Sequence, residues 1–385
     1  MTYSFRRFLY ITYLSIFKAK DTLARLTPKR IFVLFVFYTL YVFVEALTWI
    51  SFALDDLFFP GYRRQQVKQP VFIVGNPRSG TTFLHRLLAR DTRNFSSIHL
   101  WEILFAPSVT QRKIAWAVAD LDRALGGLLH RVFHWFDRHF VSASNVMHKM
   151  SLVVPEEDEY FHVHQGATII AGLFFGFPQA TYPFVFFDTQ LGRVEKRKVM
   201  RFYRHCLQRH IFAHQEDRAI LSKNPFFSPK VDALYQRFPD AKIIYLARNP
   251  LKVVPSYASL SAHWWRMFAE PEKRYPHLEY ILRSTQHWYR YPVERLEQAP
   301  DDSRALINFH ELVADPHTVV TRMYQQLGLE MTHEFDEILR QESEKACEHS
   351  SKHKYSLKGV GFTKEQILRT YQDIYERWGF DPDII

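Results

Sequence analysis

Short apolar runs alternate with amphipathic stretches through the chain after residue 70. Four of these runs are rich in aliphatic and β-branched residues and short, the pattern of buried strands. They are Val71–Val74, Ala219–Ser222, Lys242–Ala247 and Arg304–Phe309. Helical periodicity marks Ser228–Phe238 and Pro316–Leu327, and residues 103–218 are mostly helical by pattern. This alternation predicts an α/β fold of three layers, α/β/α, with a parallel sheet.

The N-terminal region has a different pattern. Ile31–Ala53 is apolar apart from Glu45, and it is long enough to span a bilayer. A shorter apolar run, Phe8–Phe17, precedes it. A single span, a helix lying on the catalytic domain or the membrane surface, and a shallow hairpin all fit this pattern. We predict that residues 1–60 form a helical, membrane-associated segment, and that residues 70–385 form the catalytic domain.

The most informative motif follows the first predicted strand. The turn from Gly75 to Gly80 joins that strand to a helix that begins at Thr81-Thr82. A strand, a tight glycine turn and a helix N-terminus together make an anion site. The spacing Gly75-x4-Gly80 matches the phosphate loop of nucleotide hydrolases, but Thr81 stands where those proteins need Lys for the γ-phosphate. Arg78 supplies a cation from within the loop, so the motif predicts an anion that has no γ-phosphate.

Two further predicted strands end in polar residues. Lys223 closes the strand that begins at Ala219, and Arg248 follows Lys242–Ala247 with Ser256 eight positions later. Open parallel sheets bind ligands beyond the carboxyl ends of their strands. A guanidinium and a hydroxyl group suit a phosphate there.

Taken together, these segments resemble the sulfotransferases that use 3′-phosphoadenosine-5′-phosphosulfate (PAPS), in particular the tyrosylprotein, carbohydrate and bacterial members. The resemblance covers about residues 70–380 and implies the P-loop-like sulfotransferase fold. It implies that the 5′-phosphosulfate is held by Arg78, Ser79, Gly80, Thr81 and Thr82. Arg248 and Ser256 would hold the 3′-phosphate, and Lys223 would stabilise the transition state. The second product would be adenosine 3′,5′-bisphosphate. Since positive side chains can neutralise the leaving phosphate, Arg78 joins Lys223 in that role and no metal is expected.

Two acidic segments are candidates for the base that takes the acceptor's proton. Glu102 is the first choice, because related enzymes carry their base just after the first helix. The acidic run from Glu156 to Glu159 is the second, with Glu156 or Glu157 binding the acceptor or acting as base. The same run also fits a solvated helix N-terminus. Further options are His85, His99, His162 and His164.

A basic segment near the C-terminus contains Lys352 and Lys354. Similar stretches in bacterial members close over the nucleotide, and the resemblance therefore adds Lys354 to the residues expected at the 3′-phosphate. A solvated basic loop is the alternative.

The composition restricts the classes of molecule that the protein is expected to bind. The net charge is +10 and the isoelectric point about 9.4, which suits a membrane surface or a polyanionic ligand, and no nucleic-acid motif accompanies the basic residues. Two cysteines, Cys206 and Cys347, form neither a disulfide framework nor a zinc site and favour a reducing compartment.

We therefore predict a membrane-associated sulfotransferase that moves the sulfuryl group of PAPS to a hydroxyl acceptor. The 34 phenylalanines, the apolar run at 168–187 and the N-terminal helix favour a lipophilic acceptor, such as a lipid or a polyprenoid alcohol. A carbohydrate or a protein tyrosine is the alternative acceptor; a P-loop-like kinase and a non-catalytic membrane scaffold are the alternative classes. Because PAPS is made in the cytoplasm, we expect a bacterial catalytic domain on that side, with a Golgi type II arrangement as the alternative.

Overall fold

One five-stranded sheet organises the chain. The computed structural model describes residues 4–20, 22–141, 151–268, 277–348 and 361–383. The strands are β1 (Val71–Gly75), β2 (Phe95–Ser97), β3 (Ala219–Lys223), β4 (Lys242–Ala247) and β5 (Arg304–Asn308).

Helices precede, connect and follow these strands. The α-helices of the described residues are α1 (Phe5–Phe17), α2 (Pro28–Phe58), α3 (Thr81–Leu88), α4 (Leu100–Leu104), α5 (Val109–Ala124), α6 (Leu128–Phe136), α7 (Ile170–Phe175), α8 (Tyr182–Val185), α9 (Phe187–Gln190), α10 (Arg193–His214), α11 (Val231–Arg237), α12 (Pro250–Phe268), α13 (Leu278–Glu297), α14 (Phe309–Ala314), α15 (Pro316–Leu327), α16 (His333–Glu348), α17 (Lys364–Thr370) and α18 (Gln372–Trp378). Short 3₁₀ segments occupy Pro60–Arg64, Asp158–Gln165, Pro178–Thr181, Pro225–Lys230 and Asp301–Ser303, and a π-helical turn occupies Asp137–Val141.

The sheet is parallel, with the strand order β2-β3-β1-β4-β5. Val71 of β1 lies opposite Leu221 on one side and Lys242 on the other. The chain changes direction across the sheet at β1, and such a switch point is where open α/β sheets bind ligands. All four predicted strands are confirmed. The edge strand β2 was not predicted, because a three-residue strand has no detectable period.

Alternate residues of the strands supply two separate cores. Val71 and Ile73 face a core with α3 and α15, whereas Phe72 and Val74 face a larger core with α10, α12 and α13. Both faces of the sheet are therefore covered, as the continuous apolar runs of a parallel sheet require. The three-layer α/β/α architecture is confirmed.

The N-terminal helix α2 has two different faces. Its first turn is capped by Thr27, whose hydroxyl accepts from Arg30 N at 3.3 Å, and Pro28 occupies the first helical position. One stripe packs against the body and is buried: Arg30, Leu34, Glu45, Thr48, Ser51, Phe52 and Asp55. The outward stripe is apolar and exposed, as Phe32 and Phe43 show at 68% and 62% exposure. By length and composition alone, α2 is the one helix of the described chain that is apolar enough to cross a membrane.

Three charged residues fix the rotation of α2 against the body. Arg30 donates to the carbonyl of Phe175 at 3.0 Å. Glu45 accepts from His164 Nδ1 at 2.8 Å, while His164 Nε2 donates to a second acceptor, the carbonyl of Ile103. Because both ring nitrogens meet acceptors, His164 carries a proton on each and forms a buried ion pair with Glu45.

The third charge, Asp55, serves three partners. It pairs with the buried Arg209 at 2.8 Å and caps α5 by accepting from Val109 N and Thr110 N at 2.9 and 2.8 Å. Its neighbour on α2, Phe52, belongs to the larger core of the sheet. The described part of the predicted segment 1–60 thus contains the helices α1 and α2, and α2 is packed into the body.

We expect Asp55→Ala to lower the free energy of unfolding by about 3–5 kcal/mol, because the buried Arg209 would lose its closer carboxylate partner and keep only the longer contact to Asp56 at 3.5 Å. Asp56→Ala is the matched control. Asp56 is 34% exposed, so its loss should cost about 1 kcal/mol or less. Urea unfolding of the detergent-solubilised chain measures both values, and equal losses would contradict the anchoring role of Asp55.

Candidate active site

The loop after β1 is shaped by two glycines at which any side chain would be strained and would clash with a neighbour. Gly75 has φ +153°, and a Cβ there would lie 2.6 Å from the carbonyl oxygen of Leu246. Gly80 has φ +97°, and its Cβ would lie 2.1 Å from the ring of Phe309. The tight approach brings the loop against the ends of β4 and β5. Among the described residues no side chain caps α3, and Thr81 and Thr82 of its first turn, whose N–H groups have no partner within the helix, line the pocket.

Arg78, Ser256 and Arg248 form one polar group beside this loop. Arg78 adopts φ +73°, and its Nε donates to Ser256 Oγ at 2.9 Å. Arg248 donates to the carbonyl of Arg78 at 3.0 Å, and its guanidinium lies 4.4 Å from the centre of the Phe309 ring. The structure thus brings together the loop arginine and the Arg–Ser pair that the sequence separates by 170 and 178 positions. We refer to Arg78, Arg248 and Ser256 as the anion clamp.

Lys223 lies at the carboxyl end of β3 and is fully buried. Its Nζ contacts Glu157 Oε1 at 2.9 Å and Glu156 Oε1 at 3.5 Å. Burial alone would lower the pKa of Lys223, but the two carboxylates outweigh burial and raise the pKa above its usual value. The lysine is therefore charged at neutral pH and can donate to an oxyanion.

The rest of the acidic run is also buried rather than solvated. Glu159 accepts from Lys230 Nζ at 3.1 Å, and Asp158 accepts from the hydroxyl of Tyr203. Burial raises the pKa of Asp158 to about 6 and also raises the pKa of Glu159. The alternative of a solvated helix N-terminus does not describe this segment, because polar partners from the sheet and α10 hold it in the interior.

A pocket of about 200 Å³ is lined by Arg78, Arg248 and Glu157. The buried Lys223 and Ser256 contact these lining residues but do not line the pocket themselves. The glycine loop and Arg248 form one wall, and Glu157 with Tyr160 forms another. The far wall is apolar and consists of Phe226, Leu260 and Trp264. Among the residues that line this pocket in the described chain, Glu157 is the one carboxylate. A carboxylate, two guanidinium groups and an apolar surface therefore meet within one cavity.

Sequence reasoning missed several lining residues. Tyr257 is buried at the pocket, and its hydroxyl has no hydrogen-bond partner among the described residues. Leu260 and Trp264 follow Ser256 at four-residue steps on α12, so the three side chains share a helix face. That spacing was a usable signal once Ser256 had been identified. Phe309, whose ring packs on Arg248, offered only the signal that it ends the predicted strand Arg304–Phe309.

Glu102, the first candidate for the base, lies outside this pocket. It caps its own helix by accepting from His99 N at 3.0 Å, and it accepts from His214 Nε2 at 2.7 Å. His210 Nδ1 lies 3.7 Å away and the buried Arg112 3.4 Å away. Burial would raise the pKa of Glu102, but Arg112 and the histidines dominate and lower it far below the usual range. Glu102, His210 and His214 are close enough together to surround a metal cation, but Arg112 already supplies the positive charge that balances Glu102.

The four histidines that were further candidates for the base lie in three different environments. His85, on α3, is buried near Lys223 and Glu156, and burial with the lysine charge lowers its pKa to about 3. Burial also keeps the pKa of His162 well below its usual value. His164 belongs to the ion pair with α2, and His99 belongs to the Glu102 cluster. Lys352 and Lys354 lie outside the described residues.

Comparison with known proteins gives a consistent result. The model of a family described as "Sulfotransferase family" matches residues 70–333. The omega-hydroxy-beta-dihydromenaquinone-9 sulfotransferases Stf3 of Mycobacterium bovis and Mycobacterium tuberculosis are 26% identical over 323 residues, which cover 81% of this chain and 75% of theirs.

Two solved structures share the fold. Sulfotransferase STF9 from Mycobacterium avium superposes with a TM-score of 0.71 at 16% identity, covering 99% of this chain and 98% of its own. Sulfotransferase STF1 from Mycobacterium tuberculosis H37Rv superposes with a TM-score of 0.62 at 19% identity, covering 84% and 81%. At these identities the likeness concerns the fold alone.

We expect Gly80→Ala to destabilise the fold by about 2–5 kcal/mol, the sum of left-handed strain and overpacking against Phe309. Gly328→Ala is the matched control. Gly328 also has a positive φ, at +61°, but a Cβ there would meet nothing within 4 Å, so about 1–2 kcal/mol of strain is expected. Denaturant titrations measure both, and a Gly80→Ala loss no larger than that of Gly328→Ala would contradict the close approach of Phe309.

Proposed function

We propose that this chain, which belongs to the sulfotransferase family, transfers the sulfuryl group of PAPS to the hydroxyl group of a lipophilic acceptor. The observation that carries this proposal is the pocket in which the two arginines of the anion clamp, Glu157 and an apolar wall meet. A nucleoside triphosphate fits the site less well, because Thr81 stands where a γ-phosphate would need a lysine. A 3′,5′-bisphosphate suits the site because it has two anionic groups. One suits the glycine loop with Arg78, and the other suits Arg248 and Ser256 of the anion clamp.

The chemistry needs one base and several fixed cations. The acceptor oxygen attacks sulfur in line with the bond to the leaving phosphate, and its proton passes to Glu157. The new O–S bond gives a sulfate ester, and the broken S–O bond releases adenosine 3′,5′-bisphosphate. Lys223 and Arg78 are the cations that we assign to the negative charge that grows on the leaving oxygen. The buried Lys223 requires no reorganisation for this role, because Glu156 and Glu157 already hold it in place.

Glu157 rather than Glu102 is the base that we propose. Glu157 lines the pocket and is 16% exposed, whereas Glu102 is 1% exposed and is committed to Arg112 and three histidines. A base must reach the proton that it removes, so position decides between the two. Glu102 instead stabilises the start of α4 and its contact with α10.

An aromatic series supports the lipophilic acceptor. Trp264 at the pocket contacts Phe174 at 5.3 Å between ring centres, and Phe174 stacks on Phe268 at 4.9 Å. Phe268 in turn contacts Phe37 of α2 at 6.1 Å. Apolar side chains thus link the reacting end of the pocket to the apolar N-terminal helix. The acceptor in the names of the Stf3 relatives, omega-hydroxy-beta-dihydromenaquinone-9, has the same apolar character.

We propose that α2 binds the membrane surface with its outward stripe. Its three buried charges point to the body, so a position in which lipid surrounds the helix would require Arg30, Glu45 and Asp55 to leave their partners. A helix that lies in the interface keeps those contacts and covers the exposed phenylalanines with lipid. Since PAPS is made in the cytoplasm, the catalytic body faces that side.

The central experiment follows label transfer from sulfur-labelled PAPS in detergent, with a long-chain prenyl alcohol and a short water-soluble alcohol as acceptors. We expect the prenyl alcohol to be favoured, and Arg248→Ala to lower kcat/KM by about 10²–10³-fold. Ser256→Ala should weaken binding of adenosine 3′,5′-bisphosphate by about tenfold or more in calorimetry, because a hydrogen bond to a charged group is lost.

Arg197→Ala is the matched control for these variants. Arg197 lines a separate cavity with Arg193, Lys196 and Arg237, which is a second basic surface on the same chain. Its substitution should leave transfer and bisphosphate binding unchanged. If no label is transferred to either alcohol, the proposed reaction is refuted. If Arg197→Ala lowers transfer and bisphosphate binding as much as the clamp variants do, the clamp is not the nucleotide site.

A second pair of variants separates the two candidate bases. We expect Glu157→Gln to lower kcat by about 10²–10⁴-fold with a smaller loss of stability than Glu102→Gln, because Glu156 remains as a carboxylate partner of Lys223 and the amide oxygen still accepts from it. Glu102→Gln should instead lower the free energy of unfolding by about 3–5 kcal/mol while kcat per folded molecule is kept, since Arg112 loses its counter-charge. Stopped-time assays and urea unfolding measure both quantities. The reverse pattern would return the role of base to Glu102.

A further inference from the structure

We infer that the hairpin formed by α5 and α6 is a second membrane-binding element, whose tip enters the bilayer that the outward face of α2 binds. This inference rests on the proposed membrane association and extends it to residues 109–136, which belong to the catalytic part of the sequence. The tip runs from Leu125 to Leu129 through Gly126 and Gly127.

The hairpin leaves the body and exposes its apolar side chains. No residue of α6 is buried, and the buried residues of α5 lie at Val109, Arg112 and Asp122. Leu125 is 76% exposed, the highest value among the large apolar side chains of the described residues. Soluble proteins seldom expose a contiguous apolar surface of this kind unless it contacts a membrane or a partner.

The backbone of the tip is satisfied from within. The carboxylate of Asp122 accepts from Leu129 N and His130 N, both at 2.8 Å, and its carbonyl accepts from Gly127 N at 2.8 Å. Arg131 donates to the carbonyls of Gly126 and Gly127 at 3.1 and 3.3 Å. In water these groups would be solvated at no cost. In an acyl environment, unpaired backbone groups are costly, so this arrangement fits a lipid-facing turn.

The two helices present apolar faces with the spacing of surface-active helices. On α5, the exposed Ile114, Val118, Leu121 and Leu125 recur at helical steps along one stripe. On α6, leucine, valine and aromatic residues occupy one side, while His130, Arg131 and His134 share the other. A helix of this composition lies in the interface with its polar side toward the headgroups.

The hairpin packs against α2 through residues of the buried stripe of that helix. Asp55 caps the start of α5, and Gln111 of α5 donates to Thr48 of α2 at 3.3 Å. A second copy of the chain could cover the α5 stripe, but it would leave the outward face of α2 without a partner. A single bilayer covers both surfaces. The nearby Arg123, which is exposed, limits the depth, because a long basic side chain reaches the phosphate level while the leucines of the tip reach the acyl boundary.

The test uses the full chain and vesicles of phosphatidylglycerol and phosphatidylethanolamine. In a Cys347→Ser background, an environment-sensitive fluorophore on Leu125→Cys should shift to the blue with vesicles and be quenched by spin-labelled lipids. The same fluorophore on Gln341→Cys, an exposed position of α16, should do neither. A fluorophore at position 125 that stays quenched by aqueous iodide and not by lipid would overturn the inference.

A charge variant gives the functional readout. Leu125→Asp combined with Leu129→Asp should lower the vesicle partition coefficient at least tenfold, whereas Gln341→Asp, which also adds negative charge, should not. The double variant should keep wild-type transfer to a soluble alcohol in detergent, which shows that it is folded, and lose at least tenfold toward a prenyl alcohol in vesicles.

Two further outcomes distinguish membrane binding by the hairpin from the proposed sulfuryl transfer. The protein could instead be a dimer without lipid, and the double substitution could make it monomeric while vesicle binding stays unchanged. That result would assign the hairpin to contacts between chains and overturn the inference. Vesicle insertion of the tip by a protein that transfers no label to any alcohol would support the inference and refute the proposed function.

Discussion

The buried charge of Lys223 is the constraint on which the site depends. An ammonium group enclosed at the end of a strand requires carboxylate partners, and Glu156 and Glu157 supply them. Those partners hold the segment around residue 155 against the sheet, where Glu156 N also donates to the carbonyl of Ile98. The same ion pair thus closes one wall of the pocket and sets the base beside the cation. The position of Glu157 is a consequence of a fold that must neutralise Lys223.

A second electrostatic constraint governs the N-terminal helix. A purely apolar helix has no preferred rotation against a protein and could leave it for lipid. Arg30, Glu45 and Asp55 remove that freedom, because each has its partner on one side of α2. The desolvation free energy of burying three charges is offset only while the helix keeps its contact with the body. The result is an apolar surface whose orientation against the body is set by these contacts, so the membrane and the pocket take a defined position relative to each other.

The parts of the fold that follow from local patterns were predictable. Strand β1, the glycine loop and the Arg248–Ser256 pair are contiguous signals, and their meeting follows from the shared carboxyl edge of a parallel sheet. The environment of Glu102 was not predictable, because Arg112 and the histidines of α10 come from other parts of the chain. The hairpin tip was missed for another reason. Leu125 and Leu129 fit a core helix equally well in the sequence, and only their exposure in the structure distinguishes a membrane contact.

Helix α12 links the two halves of the proposed reaction. Ser256 lies near its start in the anion clamp, Trp264 lies on the apolar wall, and Phe268 ends the helix in contact with α2. Twelve residues of helix separate Ser256 from Phe268, a rise of about 18 Å. A short alcohol in the pocket would leave the aromatic series along this path uncovered. A long apolar acceptor whose hydroxyl reaches Glu157 would cover that series and keep its remaining length in lipid, which gives a physical reason for selectivity by acceptor length.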